Sequence, residues 1–389
     1  MSPTTAARDW LTIKGSVRIA RAQNDILFDE QNARLIDLFS GNGTVWLGHA
    51  NPRIVARLTS QLDKIWITGG FETKVHLEAV DAIERFLPST HKVAALYSTG
   101  MEAAEFANRL ARVVTGKPGV VGFERSMHGK SLATAFLGWD NNDGVALPQI
   151  HRLPFVPTHD EGELLGRLRA ALRDHPISAV FVEPFQGSGG GYSASDAFYR
   201  EVFLLCRQFG ALLVFDEILT GFYRTGSPFW FSRLEFIPDV ILIGKGMGNG
   251  FPVSAVVARR DLRVTAKMLP GSTYADNPLA AAAVVATLDE LSQTDIAGRV
   301  AAIERAVAGA LAPLVRNGLK LRGSGAMWII ELPQQSDAQG VAVELYNRGI
   351  FVSYAGRALR LLPASTMTPA HLSAACEIIL QTLRDHNAC

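Results

Sequence analysis

The sequence predicts an α/β fold, an open and mostly parallel sheet with a ligand crevice at the carboxyl ends of its strands. Three observations predict it. The stretch 211–245 opens with ALLVFDE and closes with DVILIGK. Both are short runs of Val, Leu and Ile bounded by Gly or charge, the pattern of parallel strands buried on both faces. The runs VAALYS (93–98), GVVGF (119–123) and AVFVE (179–183) repeat that pattern. Glycine-containing turns or loops follow them, at the strand ends where open α/β sheets bind their ligands.

Composition narrows the class. A chain of 389 residues exceeds the size at which one hydrophobic core keeps growing, so two domains are expected. It is 48% hydrophobic and 19% charged with a net charge of +1, which gives no electrostatic case for nucleic acid or an anionic membrane. No apolar run is long enough to span a bilayer, and Arg8, Asp9, Lys14 and Arg18 leave no apolar core for a signal peptide. Cys206, Cys376 and Cys389 share no CxxC spacing and fit reduced thiols in a cytoplasm. No histidine pairing supports a metal site.

Taken in order, residues 16–40 alternate apolar and polar around Asn24-Asp25 and Gln31-Asn32, which predicts a small antiparallel meander. The glycine- and asparagine-rich stretch 41–52 is a loop, and 53–62 resumes a helical period. After the strand at 93–98, Thr99-Gly100-Met101-Glu102 leads into the helical AAEFANRLARVV. A strand, a tight glycine turn and a helix N-terminus make an anion cradle, because unpaired N–H groups and the helix dipole point the same way. Ser126-Met127-His128-Gly129 follows the strand at 119–123, and EPFQGSGGGY follows the one at 179–183. HGKS at 128–131 resembles the end of a P-loop, but Glu124 stands where the first glycine belongs, and GKGMGNG lacks the dinucleotide spacing. A nucleotide-binding enzyme is therefore disfavoured. NPLAAAAVVATLDEL (277–291) is alanine-rich, strongly helical and apolar over most of its length, which suggests a buried helix joining two domains. From about 298 onward the pattern is α+β, a separate smaller domain.

Asp216 and Lys245 end two of the buried strands, so both project into the crevice. Either alone reads as an ordinary polar residue. Together they suit pyridoxal 5′-phosphate (PLP): an amine links to the cofactor aldehyde, and a carboxylate pairs with the ring nitrogen so that the ring accepts electrons.

With these pieces placed, the chain resembles the class III aminotransferases of PLP fold type I, the group of ornithine, GABA and glutamate-1-semialdehyde enzymes. The resemblance runs from about residue 35 to the C-terminus. It rests on LIDLFSGNGTVWLGHANP, on TGMEA at 99–103, on MHG at 127–129 and on EPFQG at 183–187. DEILTGFYRTG at 216–226, GKGMGNGFP, GST at 271–273 and NPL at 277–279 complete it. The resemblance implies a large domain with a mainly parallel seven-stranded sheet and a smaller α+β domain built from the N- and C-terminal segments. It places an N-terminal segment at 1–46, the large domain at 47–297 and the small domain at 298–389. It also implies a cytoplasmic homodimer with shared active sites, acting on an amino donor and a carbonyl acceptor.

The resemblance assigns roles. Lys245 holds the cofactor and shuttles a proton, and Asp216 pairs with the ring nitrogen. Ile218 packs one ring face, and Met127 stands where an aromatic residue covers the other, beside His128. Thr99 and the backbone N–H groups of Gly100 and Met101 hold the phosphate, with Ser272 and, from the second subunit, Thr273. Glu183 lines the site. Arg360, in LRLLP, forks onto a substrate carboxylate, and Asn42 lines the substrate pocket. Met101 replaces a threonine, Leu219 stands where many members have glutamine, and Ser188 stands where the ω-amino-acid enzymes have a glutamate that gates the arginine. Transamination is the expected reaction. A racemase, epimerase or decarboxylase of the same fold, and a non-catalytic relative, are the alternatives.

Overall fold

A computed structural model describes residues 18–139 and 147–386. Arg8, Asp9, Lys14 and Cys389 lie outside the described residues. The chain forms two compact units, Pro52–Ile296 and a smaller one made of Met1–Asn51 with Ala297–Cys389. This division falls at 51/52 and 296/297, against the sequence-based boundaries of 46/47 and 297/298.

The smaller unit begins with β1 (Ile19–Gln23), β2 (Ile26–Asp29) and β3 (Arg34–Asp37), an antiparallel meander. Its turns use Asn24 and Asn32 at φ 51° and 62°, the left-handed region that asparagine enters more readily than most residues. Asp25 fixes the meander to the last helix, Pro369–Asp385: its Oδ2 accepts the Thr368 N–H at 2.9 Å and lies 2.9 Å from His371 Nδ1. This contact ties the two ends of the chain into one unit.

The larger unit is built on seven strands: β4 (His91–Tyr97), β5 (Gly119–Phe123), β6 (Ile150–Leu153), β7 (Ile177–Val182), β8 (Leu212–Asp216), β9 (Val240–Gly244) and β10 (Ser254–Arg259). Their order is β4-β10-β9-β8-β7-β5-β6. The pairs from β9 to β6 are parallel, and only β10 runs against its neighbours. Every residue of β5, β7, β8 and β9 is buried, as continuous apolar runs require when helices cover both faces. The helix Gly100–Thr115 lies against the sheet through Ala103, Ala104, Ala107 and Ala111, small side chains that bring its axis close to β7, β9 and β10. The helix Pro278–Gln293 lies wholly inside this unit, against helices Pro52–Leu62 and Lys74–Glu84. Its apolar surface marks burial within one domain, not the joint between two that the sequence suggested.

The rest of the smaller unit adds β11 (Lys320–Ser324), β12 (Met327–Glu331), β13 (Ile350–Phe351), β14 (Ser353–Ala355) and β15 (Ala358–Leu361). β13 joins the N-terminal meander beside β3, and the others form an antiparallel sheet in the order β11-β12-β15-β14. Among the described residues, no helix is long and apolar enough to cross a membrane.

Candidate active site

Asp216 closes β8, and Lys245 follows immediately on β9, its parallel neighbour. Both therefore emerge at the carboxyl edge of the sheet. Lys245 sits at φ 43° at the start of a single 3₁₀ turn, Lys245–Gly248. A left-handed lysine is disfavoured and persists where the surroundings impose it, as functional sites often do. Asp216 is 4% exposed, and both its oxygens are engaged. Oδ1 accepts the Ile218 N–H at 3.1 Å, and Oδ2 lies 2.8 Å from His128 Nδ1. His128 is itself buried, edge-on to the Phe181 ring, and its Nε2 has no hydrogen-bond partner. The Asp216 carboxylate is thus held in place through both oxygens.

The turn after β4 is a capped helix N-terminus. Thr99 caps the helix Gly100–Thr115 in a capping box: its hydroxyl accepts the Glu102 N–H at 3.2 Å, and Glu102 accepts the Thr99 N–H at 2.9 Å. The N–H groups of Gly100 and Met101 lie in the first turn, where no intrahelical acceptor reaches them. Gly100 allows a close approach: a Cβ there would stand 2.7 Å from Ile218 Cδ1, and that methyl would have to move. A Cβ on Gly244 would stand 3.5 Å from Ile218 Cγ2, an ordinary contact, so Ile218 lies between the Thr99–Glu102 turn and the end of the strand that leads to Lys245. Met101 packs over Gly129, where a Cβ would meet its Cγ at 2.8 Å, which joins the anion turn to the Met127–His128 loop. Ser254 at the start of β10 donates to the Thr99 carbonyl at 2.6 Å, and the Ser272 hydroxyl to Glu102 Oε1 at 3.4 Å. Thr273 is exposed on the next position of that loop.

Two further carboxylates lie beside these groups. Glu183 accepts the Met127 N–H at 2.8 Å and the Gly187 N–H at 2.9 Å, clamping together the loops after β5 and β7. Burial pushes its carboxyl up to about 7, and the neighbouring Asp216 carboxylate adds to the shift. Glu217, next in the chain after Asp216, is fully buried. It accepts the Trp230 and Phe231 N–H groups at 3.0 and 2.9 Å and the Thr220 hydroxyl, and burial pushes it up to about 7. It shapes the 217–231 loop. The structure thus brings Thr99, Gly100, Met101, Met127, His128, Glu183, Asp216, Ile218, Lys245 and Ser272 to one region of the larger unit. Leu219 is buried and Ser188 half-buried there.

In the smaller unit Arg360 is 6% exposed on β15 and donates from Nη1 to Asn42 Oδ1 at 3.4 Å. Asn42 sits at φ 61° in a short turn, Ser40–Gly43. Among the described residues, no cluster of three or more His, Cys, Asp or Glu side chains forms a metal site.

The fold and these groups define an α/β protein with a lysine and a carboxylate on adjacent strand ends and a capped helix N-terminus beside them. The family model for class-III aminotransferases matches residues 11–383. A 2-aminoadipate transaminase of Pseudomonas putida is 30% identical over 417 residues, covering 97% of this chain and 98% of its own. An acetylornithine aminotransferase of Bacillus subtilis is 31% identical over 383 residues, covering 96% of both chains. The crystal structure of an S-selective transaminase from Arthrobacter sp. with alanine bound has the same fold, with a TM-score of 0.87 at 23% identity over 95% of this chain and 93% of that one. The chain belongs to the class III aminotransferases.

Proposed function

We propose that this aminotransferase uses PLP and moves an amino group, by a ping-pong mechanism, between an α-amino acid and a keto acid, ketone or aldehyde. The observation that carries the reading is the placement of Asp216 and Lys245 on adjacent parallel strand ends, with the Thr99–Glu102 turn joined to them through Ile218. These residues fit the cofactor. First-turn N–H groups suit a phosphate, and a buried carboxylate held by His128 and the Ile218 N–H suits a cationic ring nitrogen. When bound, the cofactor supplies an electron sink.

Lys245 would hold it covalently and carry the proton at Nζ. Asp216 would hold the ring nitrogen. Gly100, Met101, Thr99 and Ser272 would hold the phosphate, and Ile218 and Met127 would cover the ring faces. Glu183 keeps the Met127–His128 loop in place through two backbone hydrogen bonds. Arg360 would fork onto the substrate carboxylate, with Asn42 as its neutral neighbour. The relatives named for 2-aminoadipate and acetylornithine both take substrates that bear an α-carboxylate, which supports this assignment. Ser188 offers no carboxylate to neutralise Arg360.

The same reading makes the protein a cytoplasmic homodimer with Thr273 completing the partner subunit's phosphate site. Exposed Ile65, Trp66, Ile67 and Phe71 on the larger unit support an apolar interface. The test is Lys245→Ala. Wild-type protein should carry a chromophore that borohydride fixes to the chain, and the variant should lose both that linkage and turnover. A fully active Lys245→Ala protein would sink the assignment.

A further inference from the structure

We infer that Ser353 and Asn42 complete, with Arg360, a three-residue subsite for the α-carboxylate of the substrate. The inference rests on the assignment of Arg360 proposed above and extends it to two further residues with distinct tasks.

Ser353 lies directly opposite Arg360 in the β14–β15 pairing. Residues directly opposite in an antiparallel pair share a face, with Cβ atoms about 5 Å apart. Ile329 of β12 is paired opposite Arg360 on the other side, fully buried, and gives that face an apolar wall. The Ser353 hydroxyl is buried there without a hydrogen-bond partner. Buried polar groups in native proteins are seldom left unmet, because desolvation goes uncompensated. A hydroxyl donor and a guanidinium on one face, against an apolar wall, offer donors of the kind an anion accepts from. A carboxylate matches the planar fork of Arg360 with one oxygen still able to accept from Ser353 Oγ.

Asn42 has the other task. Ser40, Gly41, Asn42 and Gly43 take φ values of 46°, 57°, 61° and 78° in succession. Left-handed residues ordinarily occur singly, so four in a row form a turn held by its surroundings. Asp37 holds it, accepting the Phe39 and Ser40 N–H groups at 2.8 and 2.9 Å while its other oxygen lies 2.8 Å from His49 Nε2. The product of that turn is Asn42 Oδ1 against Arg360 Nη1. An amide oxygen orients a guanidinium without cancelling its charge. Asn42 is therefore a positioning residue, and Ser353 is a specificity residue that touches substrate.

The test uses holoenzyme and the amino-donor half-reaction, read by absorbance. A panel of α-amino acids is compared with isopropylamine, which lacks a carboxylate. Propionate-induced shifts in melting temperature give a readout independent of turnover. Ser353→Ala should weaken apparent affinity for the best α-amino acid about tenfold, the loss of one charge-assisted hydrogen bond, and shrink the propionate shift. The limiting rate and the isopropylamine reaction should stay within about twofold, and Ser353→Thr, which keeps the hydroxyl, should restore affinity. An equal effect on amino acid and amine, or no effect on either, overturns the inference. Arg360→Lys separates the two levels. If it weakens amino-acid binding and Ser353→Ala does not, the subsite fails and the Arg360 assignment stands. If Arg360→Lys also leaves amino-acid affinity and the propionate shift intact, the Arg360 assignment itself fails.

Discussion

Gly100→Ala tests whether Ile218 couples the anion turn to the strand of Lys245. On propensity alone the change should help, since alanine is favoured over glycine in a helix by up to about 1 kcal/mol. The structure reverses that sign. The new Cβ would stand 2.7 Å from Ile218 Cδ1, 3.4 Å from Cγ2 and 3.6 Å from Cγ1, against a normal carbon–carbon contact of about 3.5–4.0 Å. Ile218 is β-branched and stiff at χ1, so relief has to come from turning Cδ1 about χ2. Overpacking of this kind costs about 1–3 kcal/mol, so the net loss should be about 0–2 kcal/mol. Ile218→Val removes Cδ1 and alone should cost about 0.5–1.5 kcal/mol. In the double variant the clash is gone and the helix benefit returns. The cycle should therefore show a favourable coupling of at least about 1 kcal/mol. Urea unfolding of the apoprotein measures the stabilities, and titration with PLP measures whether the turn still takes an anion. Additivity within about 0.5 kcal/mol would refute the lodged position of Ile218.

Three further outcomes are expected. Asn42→Asp should place an ionised partner on Arg360 and raise KM for α-amino acids by about tenfold, with a smaller effect on a carboxylate-free amine in parallel kinetics. Glu183 and Glu217 are held up to about 7 in the folded chain, so the folded state binds their protons more tightly than the unfolded state. Their contribution is greatest below the ordinary carboxylate range and is lost as pH rises toward 7, by at most about 1.4 kcal/mol per pH unit for each group. Urea midpoints of the apoprotein measured across that range should flatten in Glu183→Gln. Mixing Lys245→Ala with Thr273→Ala subunits should raise activity per Lys245-bearing chain, because each mixed dimer regains one intact site. Activity that merely dilutes would place Thr273 outside the partner's site.

Residues that carry their own local signal were legible, and those defined by distant contacts were not. β8 and β9 could be read because strands buried on both faces leave unbroken apolar runs, and their polar ends stand out. The turn at Thr99–Glu102 could be read because a strand, a glycine and a helical pattern follow one another there, whereas its capping box came only with the structure. The turns at Asn24 and Asn32 could be read because few residues tolerate positive φ. The helix Pro278–Gln293 announced its burial through its alanine-rich apolar run, but such a run does not say what buries it. His128 and Asp216 are 88 residues apart, and no local pattern announces a hydrogen bond across that separation. Ser353 was invisible for a similar reason: its significance comes from strand register and from a missing partner.

Adjacent carboxylates at the end of β8 show why residue type alone does not assign a task. Asp216 and Glu217 are consecutive, and successive strand side chains face opposite sides. Asp216 accepts from Ile218 and His128. Glu217 turns into the loop and takes three donors, from Thr220, Trp230 and Phe231. Their isosteric amides should therefore separate stability from chemistry. In Asp216→Asn the oxygen still accepts from Ile218, and the amide donates to His128 in its other tautomer, so stability should change by no more than about 1 kcal/mol. The lost negative charge removes the partner proposed for the ring nitrogen, and kcat should fall by about two orders of magnitude or more. In Glu217→Gln at least one amide hydrogen must face a backbone N–H, and the charge-assisted bonds are lost. Stability should drop by about 2–4 kcal/mol while the protein that remains folded keeps its kcat. Thermal melts with active-site titration distinguish the two patterns. A stable but inactive Glu217→Gln would assign the chemistry to the wrong carboxylate.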